Sequence, residues 1–377
     1  MADNKPSICF VAPNNYAVLS GREDLAHIGG AEVQRLLVGR ELARRGYAVS
    51  FVTLDHGQPD GVEHEGIRVY KMCSSRDGWP GLRFFYPRWT SLCEAMVRAN
   101  ADVYVQRTAG VESGQVAHWC CRNRKRFILS IANDPECDRR LGGKPQTRER
   151  WFYRYALRHA DVVIAQTRTQ QRMLAKHFGI DAAVVPSCAA DPGPPPTSTN
   201  GHTPLDEKRI LWVGRFTRQK RIDRLVLLAA RCPEWSFDVV GGTRTPAPEI
   251  APHLRRLESL PNVTLHGFVP YPEMNRFYRR AALLLSTSEW EGFPNVFLEA
   301  WSRGVPVASM IDPDDVVADH GLGVVASGVS DLSSAIGAML ASVETWRSCS
   351  KKARRFFLER HTVEAGVDAF EAVLRDR

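Results

Sequence analysis

The feature that most limits the fold of this chain is a repeated alternation of short apolar runs with amphipathic segments. Residues 8–12 and 48–53 are almost wholly apolar, and the segment 31–45 between them carries Val33 and Leu36 at helical spacing. Buried strands joined by amphipathic helices are the units of a parallel sheet. The same pattern predicts further strands at residues 103–106, 127–131, 162–166 and 182–185. The first half therefore predicts an α/β domain.

Residues 186–208 interrupt this alternation with a stretch rich in Pro, Gly, Ser and Thr. Such a composition is typical of a linker between domains. The alternation then resumes, with strands predicted at residues 210–213, 236–240, 263–266, 282–286 and 305–309. The length of 377 residues also suits two domains.

The predicted organisation is thus two doubly wound parallel-sheet domains of the Rossmann type, over residues 1–190 and 209–359, with the linker at 186–208 between them. A carboxyl-terminal helix at about 360–377 is expected to pack back on the first domain. Doubly wound sheets bind ligands beyond the carboxyl ends of their strands. Two such sheets facing each other predict a ligand cleft between the domains.

The amino-acid composition indicates which kinds of partner the protein binds and in which cellular compartment it is expected. Fifty Lys and Arg against 42 Asp and Glu give a net charge of +8, which favours anionic partners. Nine cysteines without a C-x-x-C motif indicate reduced thiols and a cytoplasmic protein. A polar start without a secretion pattern agrees with this, and no apolar run is long enough to span a membrane. Membrane contact is therefore expected to be peripheral.

Residues 286–304 contain the most informative set of candidate functional residues. This stretch is predicted to run from the end of a strand through a loop into a helix. Pro294 suits the first helical position, and the helix start near Asn295 and Val296 offers unpaired N–H groups to a phosphate. Glu291 in the loop and Glu299 in the helix would repel a phosphate. Their carboxylates suit the hydroxyls of sugars that flank a diphosphate.

A second stretch follows the first strand after the linker, where Gly214 allows a tight turn before Arg215 and Lys220. Two cations at one strand end suit the charge of a diphosphate without a metal. The D-x-D at Asp312 and Asp314 contains a proline and favours a turn over a metal site. No metal ligands are predicted.

A third stretch places Gly29 and Gly30 just before Ala31 and Glu32, where the first long helix is expected to begin. Two glycines let the backbone approach a ligand closely. Alone, a glycine pair is a weak signal.

These three stretches together resemble the retaining glycosyltransferase family 4. The resemblance rests on Gly-Gly-Ala-Glu at the first helix, on Gly214-Arg215 with Lys220, and on the two glutamates in an E-x7-E arrangement. It implies the GT-B fold of two facing Rossmann-like domains, a nucleotide-sugar donor held mainly by the second domain, and transfer with retention. It implies no cofactor and no required metal.

The resemblance also implies residue roles. Arg215 and Lys220 would bind the donor diphosphate, Glu299 the ribose hydroxyls, and Gly29 with Gly30 would lie near the leaving diphosphate. Glu291 would contact the donor sugar. The remaining donor-binding positions are Phe293, Pro294, Asn295 and Val296.

The chain departs from the family pattern at three places. Asn133, followed by Asp134, stands where a histidine commonly contacts the donor sugar, and Asn133 cannot ionise near neutral pH. We predict that Asn133, Asp134 and Glu291 position the sugar, with a turn as the structural alternative for the first two. Arg221 replaces a usual glycine, and Ser187 with Cys188 replaces a usual Asn-Gly.

Two amphipathic stretches are crowded with aromatic and basic residues. Residues 78–89 combine tryptophan, phenylalanine and tyrosine with arginine, and residues 346–360 form a helical stripe opposite four cations. Such patches suit an anionic membrane surface. A role in the hydrophobic core is the alternative, and the tail favours it. No nucleic-acid-binding module is recognisable.

The predicted function is transfer of a hexose-type sugar from a UDP or GDP sugar to an acceptor sugar or lipid-linked glycan, in polysaccharide, glycolipid or glycoconjugate assembly of the bacterial type. The expected place is the cytoplasm, with peripheral contact at the inner membrane face. Two alternatives stay open at this point: a nucleotide-sugar epimerase of the same fold, and a non-catalytic protein that binds sugar nucleotides.

Overall fold

A computed structural model describes residues 5–22, 29–80, 82–138, 147–193, 204–243 and 247–375. The chain divides into two compact units. One contains Met1–Ser187 and Val363–Arg377, and the other contains Cys188–Thr362. Each unit packs its own hydrophobic core on both faces of one sheet.

The first unit alternates strands and helices as the apolar pattern predicts. Its strands are β1 (Ile8–Val11), β2 (Val49–Thr53), β3 (Val62–His64), β4 (Ile67–Lys71), β5 (Val103–Arg107), β6 (Arg126–Ser130), β7 (Val162–Ala165) and β8 (Ala183–Val184). Its helices are α1 (Tyr16–Ser20), α2 (Gly30–Arg44), α3 (Thr90–Ala99), α4 (Val111–Asn123), α5 (Thr147–His159) and α6 (Arg168–Phe178), joined by a later helix at Val363–Arg375.

These strands form an eight-stranded sheet in the order β3-β4-β2-β1-β5-β6-β7-β8, parallel except between β3 and β4. Ile8 and Phe10 pack on one face of β1, whereas Cys9 and Val11 pack on the other. Alternating side chains that are all apolar require helices on both faces. The sequence missed β3 and β4, because this edge hairpin exposes polar residues and lacks a continuous apolar run.

The second unit repeats the plan with a six-stranded sheet. Its strands are β9 (Arg209–Gly214), β10 (Ser236–Gly241), β11 (Val263–Gly267), β12 (Leu283–Ser286), β13 (Val307–Ser309) and β14 (Gly323–Val325). Its helices are α7 (Ile222–Arg231), α8 (Ala251–Glu258), α9 (Asn275–Arg280), α10 (Asn295–Trp301), α11 (Val316–His320), α12 (Val329–Ala341) and α13 (Val343–Arg360), so that the late helix of the first unit is α14. The strand order is β11-β10-β9-β12-β13-β14, parallel throughout.

Both sheets reverse their direction of winding at one point. In the second unit the chain adds β10 and β11 on one side of β9 and then returns to place β12 on the other side. The loops after β9 and β12 therefore leave the sheet side by side, at the carboxyl ends of two neighbouring strands, and then run in opposite directions. Such a switch point is where doubly wound sheets bind ligands.

The predicted linker at residues 186–208 requires a correction. Ala189 donates its backbone N–H to the carbonyl of His361 at 3.0 Å, and Leu205 is buried in the core of the second unit. Arg354 forms an ion pair with Asp191 at 2.7 Å. Residues 188–193 and 204–208 of this stretch therefore belong to the second unit, and residues 194–203 lie outside the described residues.

Helix α14 packs against α2 through an ion-pair cluster around Arg45. The Arg45 guanidinium contacts Glu41 at 2.8 Å, Asp368 at 2.6 Å and Glu371 at 3.1 Å. Val367 and Phe370 of α14 add apolar contacts to the core of this unit. The expected return of the last helix to the first unit thus has a specific physical cause.

The apolar stripe of α13 belongs to the core. Trp346, Cys349, Ala353, Phe356 and Phe357 are all buried, and the Trp346 indole donates to the carbonyl of Ala282 at 2.6 Å. The core alternative for the tail is confirmed, and its interpretation as a membrane face was wrong. No helix in the described part of the chain is long and apolar enough to cross a membrane.

Arg45→Ala should lower the free energy of unfolding by about 2–3 kcal/mol, because it removes the largely buried cation that joins the carboxylates of α2 and α14. Arg44 also pairs with Glu41, but its side chain is 68% exposed against 17% for Arg45. Arg44→Ala is the matched control and should cost less than about 1 kcal/mol. Equal losses in urea unfolding would contradict the role given to Arg45.

Glu41 also predicts a pH dependence. Hydrogen bonds from Arg44 and then Arg45 lower the pKa of Glu41 to about 2. The carboxylate therefore stabilises the fold above its ordinary pKa of about 4.3, and that contribution is lost as the pH falls toward 2. Glu41→Gln should flatten the fall in melting temperature over this range. Substitution of the exposed Glu63 by Gln should leave the fall unchanged.

Candidate functional site

Two motifs that are 71 residues apart in the sequence meet at the switch point of the second unit. Lys220, in the loop after β9, places its Nζ 2.7 Å from Oε1 of Glu291, in the loop after β12. Both side chains are largely buried. Two further bonds join the loops, from the Gln219 side chain to the carbonyl of Trp290 at 2.7 Å and from the backbone N–H of Glu289 to Gln219 at 2.9 Å.

A buried threonine fixes the backbone beneath this ion pair. The Trp212 indole donates to Thr287 Oγ1 at 3.0 Å, and the same hydroxyl donates to the carbonyl of Lys220 at 2.7 Å. Trp212 and Thr287 are almost fully buried. Lys220 is therefore held at both its carbonyl and its ammonium group. The sequence offered no signal for Thr287, since an isolated threonine after a strand is common.

Arg215 is exposed, and its guanidinium makes no hydrogen bond or ion pair with the described residues. It follows Gly214, which ends β9 beside Gly241 at the end of β10. A Cβ on Gly241 would lie 2.1 Å from the carbonyl oxygen of Gly214, and Gly241 has a φ of +117°. Only glycine fits there. This close contact sets the edge from which Arg215 projects, and the sequence did not single it out.

Glu299 has a different set of neighbours from Glu291. The Tyr278 hydroxyl, on α9, donates to Glu299 Oε2 at 2.6 Å, and the Arg303 guanidinium lies over the Tyr278 ring at 4.9 Å. Burial raises the pKa of Glu299. A carboxylate that keeps one accepting oxygen beside a buried tyrosine suits hydrogen bonds from neutral hydroxyls better than a second anion. Tyr278 was not predicted.

The segment between the two glutamates differs in one detail from expectation. Pro294 precedes α10 as its cap residue, and the helix begins at Asn295. Pro294 is therefore not at the first helical position. The Phe293 ring is buried 5.0 Å from the His361 ring. The Asn295 Oδ1 atom is buried and has no hydrogen-bond partner in the described part of the chain. Val296 follows in the first turn.

In the first unit, Gly29 caps α2 and Gly30 begins it. A Cβ on Gly29 would lie 2.6 Å from the Glu32 carboxylate, so the helix's own side chain restricts this position. Asn15, after β1, donates to the carbonyl of Glu32 at 2.9 Å and accepts from Arg35 at 2.8 Å. The first turns of α2, which follow the glycines, are therefore bonded to the loop after β1. Residues 23–28, which precede these glycines, lie outside the described residues.

Asn133 and Asp134 follow β6 and behave differently. The Asn133 side chain makes no hydrogen bond with the described residues, whereas Asp134 accepts one from Gln170 of α6 at 3.0 Å. Asp134 also begins a short 3-10 turn, as the structural alternative predicts. Of the two, Asn133 is the better candidate for a ligand contact.

Ser187, which departs from the family pattern, has a clear structural partner. Its hydroxyl donates to Gln166 at 2.8 Å, and the Gln166 amide donates to the carbonyls of Ile131 and Ala132. This chain of bonds ends one residue before Asn133. Ser187 therefore supports the backbone that carries Asn133, which the sequence alone did not reveal.

The D-x-D segment is a turn. The Asp312 carboxylate accepts the backbone N–H groups of Val317 and Ala318 at 2.8 and 3.0 Å, and Asp314 has a φ of +53°. Among the residues that the structure describes, no three or more His, Cys, Asp or Glu side chains are grouped as metal ligands.

Comparison with known proteins agrees with this division of the chain. Residues 29–188 match the family model "Glycosyl transferase 4-like domain", and residues 207–342 match "Glycosyl transferases group 1". The chain is 27% identical to a D-inositol 3-phosphate glycosyltransferase of Geodermatophilus obscurus, over 92% of the chain and 86% of that protein. It is 24% identical to the mannosylfructose-phosphate synthase of Agrobacterium fabrum, over 81% and 76%.

Solved structures share the fold. Sucrose-phosphate synthase from Thermosynechococcus elongatus superposes with a TM-score of 0.82 at 18% identity, over 98% of each chain. The Anabaena HepE protein, solved in complex with UDP and glucose, gives a TM-score of 0.75 at 16% identity, over 99% of this chain and 100% of its own.

Thr287→Val should lower the free energy of unfolding by about 1–2 kcal/mol, because it leaves the buried Trp212 indole and the Lys220 carbonyl without partners. Thr264, exposed on β11, provides the matched control, and Thr264→Val should cost less than about 0.5 kcal/mol. Scanning calorimetry of both variants measures the difference. An unchanged stability of Thr287→Val would show that Thr287 does not hold this part of the backbone.

Proposed function

This protein is a glycosyltransferase with the GT-B fold, and we propose that it moves a hexose-type sugar from a nucleoside diphosphate to an acceptor hydroxyl with retention and without a required metal. The observation that carries the proposal is the contact between Lys220 and Glu291 at the switch point of the second unit. It places a cation for phosphate and a carboxylate for hydroxyl groups side by side, which are the two chemistries that a sugar diphosphate needs.

In this arrangement Glu291 neutralises Lys220 before the donor binds. A donor diphosphate would take over the Lys220 ammonium, and the carboxylate would then accept hydrogen bonds from sugar hydroxyls. Arg215, with no ion pair in the described structure, adds a second cation for the phosphates. The ion pair itself is thus nearly neutral before the donor binds, and Arg215 supplies the positive charge that attracts a diphosphate.

The same cations would stabilise the leaving group. As the bond to the anomeric carbon breaks, negative charge grows on the diphosphate and positive charge grows on the sugar ring. The family mechanism implies that the acceptor hydroxyl attacks the same face and passes its proton to a leaving phosphate oxygen. No nucleophile of the protein is therefore assigned.

Glu299 is proposed to bind the ribose hydroxyls of the donor, with Tyr278 holding the carboxylate in place. The backbone of Phe293 to Val296 would contact the donor sugar and phosphate, as the resemblance implies. Asn133, Asp134, Gly29 and Gly30 belong to the first unit, and their roles in positioning the sugar and diphosphate stay predictions.

The relatives support the class of substrate. HepE was solved with UDP and glucose, and the names of the two curated relatives describe transfer to phosphorylated small molecules or synthesis of a sugar phosphate. We propose a UDP or GDP sugar as donor and a sugar or lipid-linked glycan as acceptor, in bacterial-type polysaccharide, glycolipid or glycoconjugate assembly in the cytoplasm. The family assignment favours transfer over the epimerase and the non-catalytic binding protein.

A panel of UDP, GDP and ADP sugars with candidate acceptors tests the reaction. We expect release of nucleoside diphosphate that depends on the acceptor, an unchanged rate in EDTA, and a product with the donor's anomeric configuration by NMR. Interconversion of the sugar without release of nucleotide would support the epimerase instead. Binding without any turnover across the panel would support the non-catalytic protein.

Lys220→Ala should lower turnover about a hundredfold, because it removes a cation from the leaving diphosphate. Glu291→Gln should lower it as well, whereas Glu289→Gln is the matched control on the same loop and should keep the activity. Calorimetry of Glu299→Gln, which keeps an acceptor for Tyr278, should show donor affinity reduced about tenfold or more. Unchanged affinity would contradict the ribose assignment.

A further inference from the structure

The first unit carries an exposed surface of large apolar side chains that the donor chemistry does not use. Five of these side chains are 59% to 79% exposed. Four lie in the segment between β4 and α3, namely Trp79, Leu82, Phe85 and Tyr86, and the fifth is Trp151 on α5. We call these five residues, with the arginines around them, the aromatic-arginine surface. Four of its members are aromatic, and an exposed cluster of large apolar side chains usually marks a site of interaction.

Ring contacts join the two segments into one surface. Phe84 lies 4.7 Å from Phe85 and 5.7 Å from Phe152, and Trp151 lies 5.0 Å from Phe152, between ring centroids. Phe152 itself is buried. The exposed rings of Phe85 and Trp151 therefore pack against less exposed aromatic rings beneath them.

The backbone of the loop is also closely packed. Trp79 accepts the backbone N–H groups of Leu82 and Arg83, and a Cβ on Gly78 would lie 2.6 Å from Pro87. The exposed side chains project from a compact turn.

The charge around these rings is mostly positive. Residues 76–89 and 147–159 contain seven arginines and two acidic residues. Arg83, Arg148, Arg154 and Arg158 are exposed, and the Arg148 guanidinium lies over the Phe84 ring at 4.5 Å. The surface thus combines apolar rings with cations at their edge.

We propose that the aromatic-arginine surface docks on an anionic lipid membrane. Tryptophan and tyrosine suit the boundary between lipid headgroups and acyl chains, and arginines attract the phosphates of anionic lipids. The charge complementarity and the exposed rings fit a lipid surface better than a nucleic acid, for which the rings would need to face a groove lined by the cations. The docking itself is independent of the proposed function, whereas its use in reaching a lipid-linked acceptor rests on it.

Flotation of the full chain with vesicles tests the proposal. Vesicles of phosphatidylcholine with about 30% phosphatidylglycerol should bind the protein, and pure phosphatidylcholine vesicles should bind it about tenfold less or weaker. Binding should weaken as NaCl is raised from 50 to 500 mM, because salt screens the arginines.

Two sets of substitutions separate the contributions. The first variant replaces four exposed rings by Ser and should abolish binding at high salt; the rings are Trp79, Phe85, Tyr86 and Trp151. The second variant replaces four exposed arginines by Gln and should reduce binding to anionic vesicles about tenfold or more; the arginines are Arg83, Arg148, Arg154 and Arg158. The matched control changes four exposed arginines of the second unit, Arg231, Arg255, Arg256 and Arg347, to Gln, and should bind like the parent.

Circular dichroism melting shows that each variant is folded before its binding is compared. No binding of the parent protein to anionic vesicles at low salt, or equal loss in the second-unit control, would overturn the proposal. So would tight binding of a single-stranded RNA that displaces the vesicles. Release of nucleotide with a soluble acceptor is measured separately, so a failure of docking and a failure of the transferase proposal give different results.

Discussion

The pairing of β9 with β12 is the constraint on which the candidate site depends. The first residues of these strands are 74 positions apart in the sequence, yet the strands are neighbours in the sheet because the winding reverses between them. Only this neighbour relationship lets the loops after the two strands exchange the Lys220–Glu291 ion pair and the backbone bonds around it. A buried ion pair contributes little net stability, so its presence at a ligand edge is better explained by binding than by folding.

Different residues around the Lys220–Glu291 pair hold different parts of the site in place. Thr287 and Trp212 hold the backbone of Lys220 from the core side, and the Gly214–Gly241 contact brings the ends of β9 and β10 together. Glu299 is held separately by Tyr278. Polar groups that are fixed before a ligand arrives lose little freedom on binding, which favours both affinity and stabilisation of a leaving group.

The apolar pattern predicted the interior of both sheets well, because strands buried on both faces must be continuously apolar. It missed β3 and β14, which are three-residue strands at sheet edges, and β4, in which buried Ile67 and Val69 alternate with an exposed arginine. It also described residues 186–208 as a linker, although Ala189 and Leu205 are held in the second unit by contacts with residues distant in sequence. The two aromatic and basic stretches looked alike as patterns, yet the stripe of α13 is buried and the rings near Tyr86 are exposed.

The sequence by itself determined the two α/β domains and identified Arg215, Lys220, Glu291 and Glu299 as candidates, because residue type and spacing carry chemistry and periodicity. Tertiary structure decided which of them touch: Lys220 pairs with Glu291, while Glu299 pairs with the unpredicted Tyr278. It also decided that Pro294 precedes the helix and that Asp134 is bonded to Gln170. These outcomes depend on strand order and packing between distant segments, which local spacing does not encode.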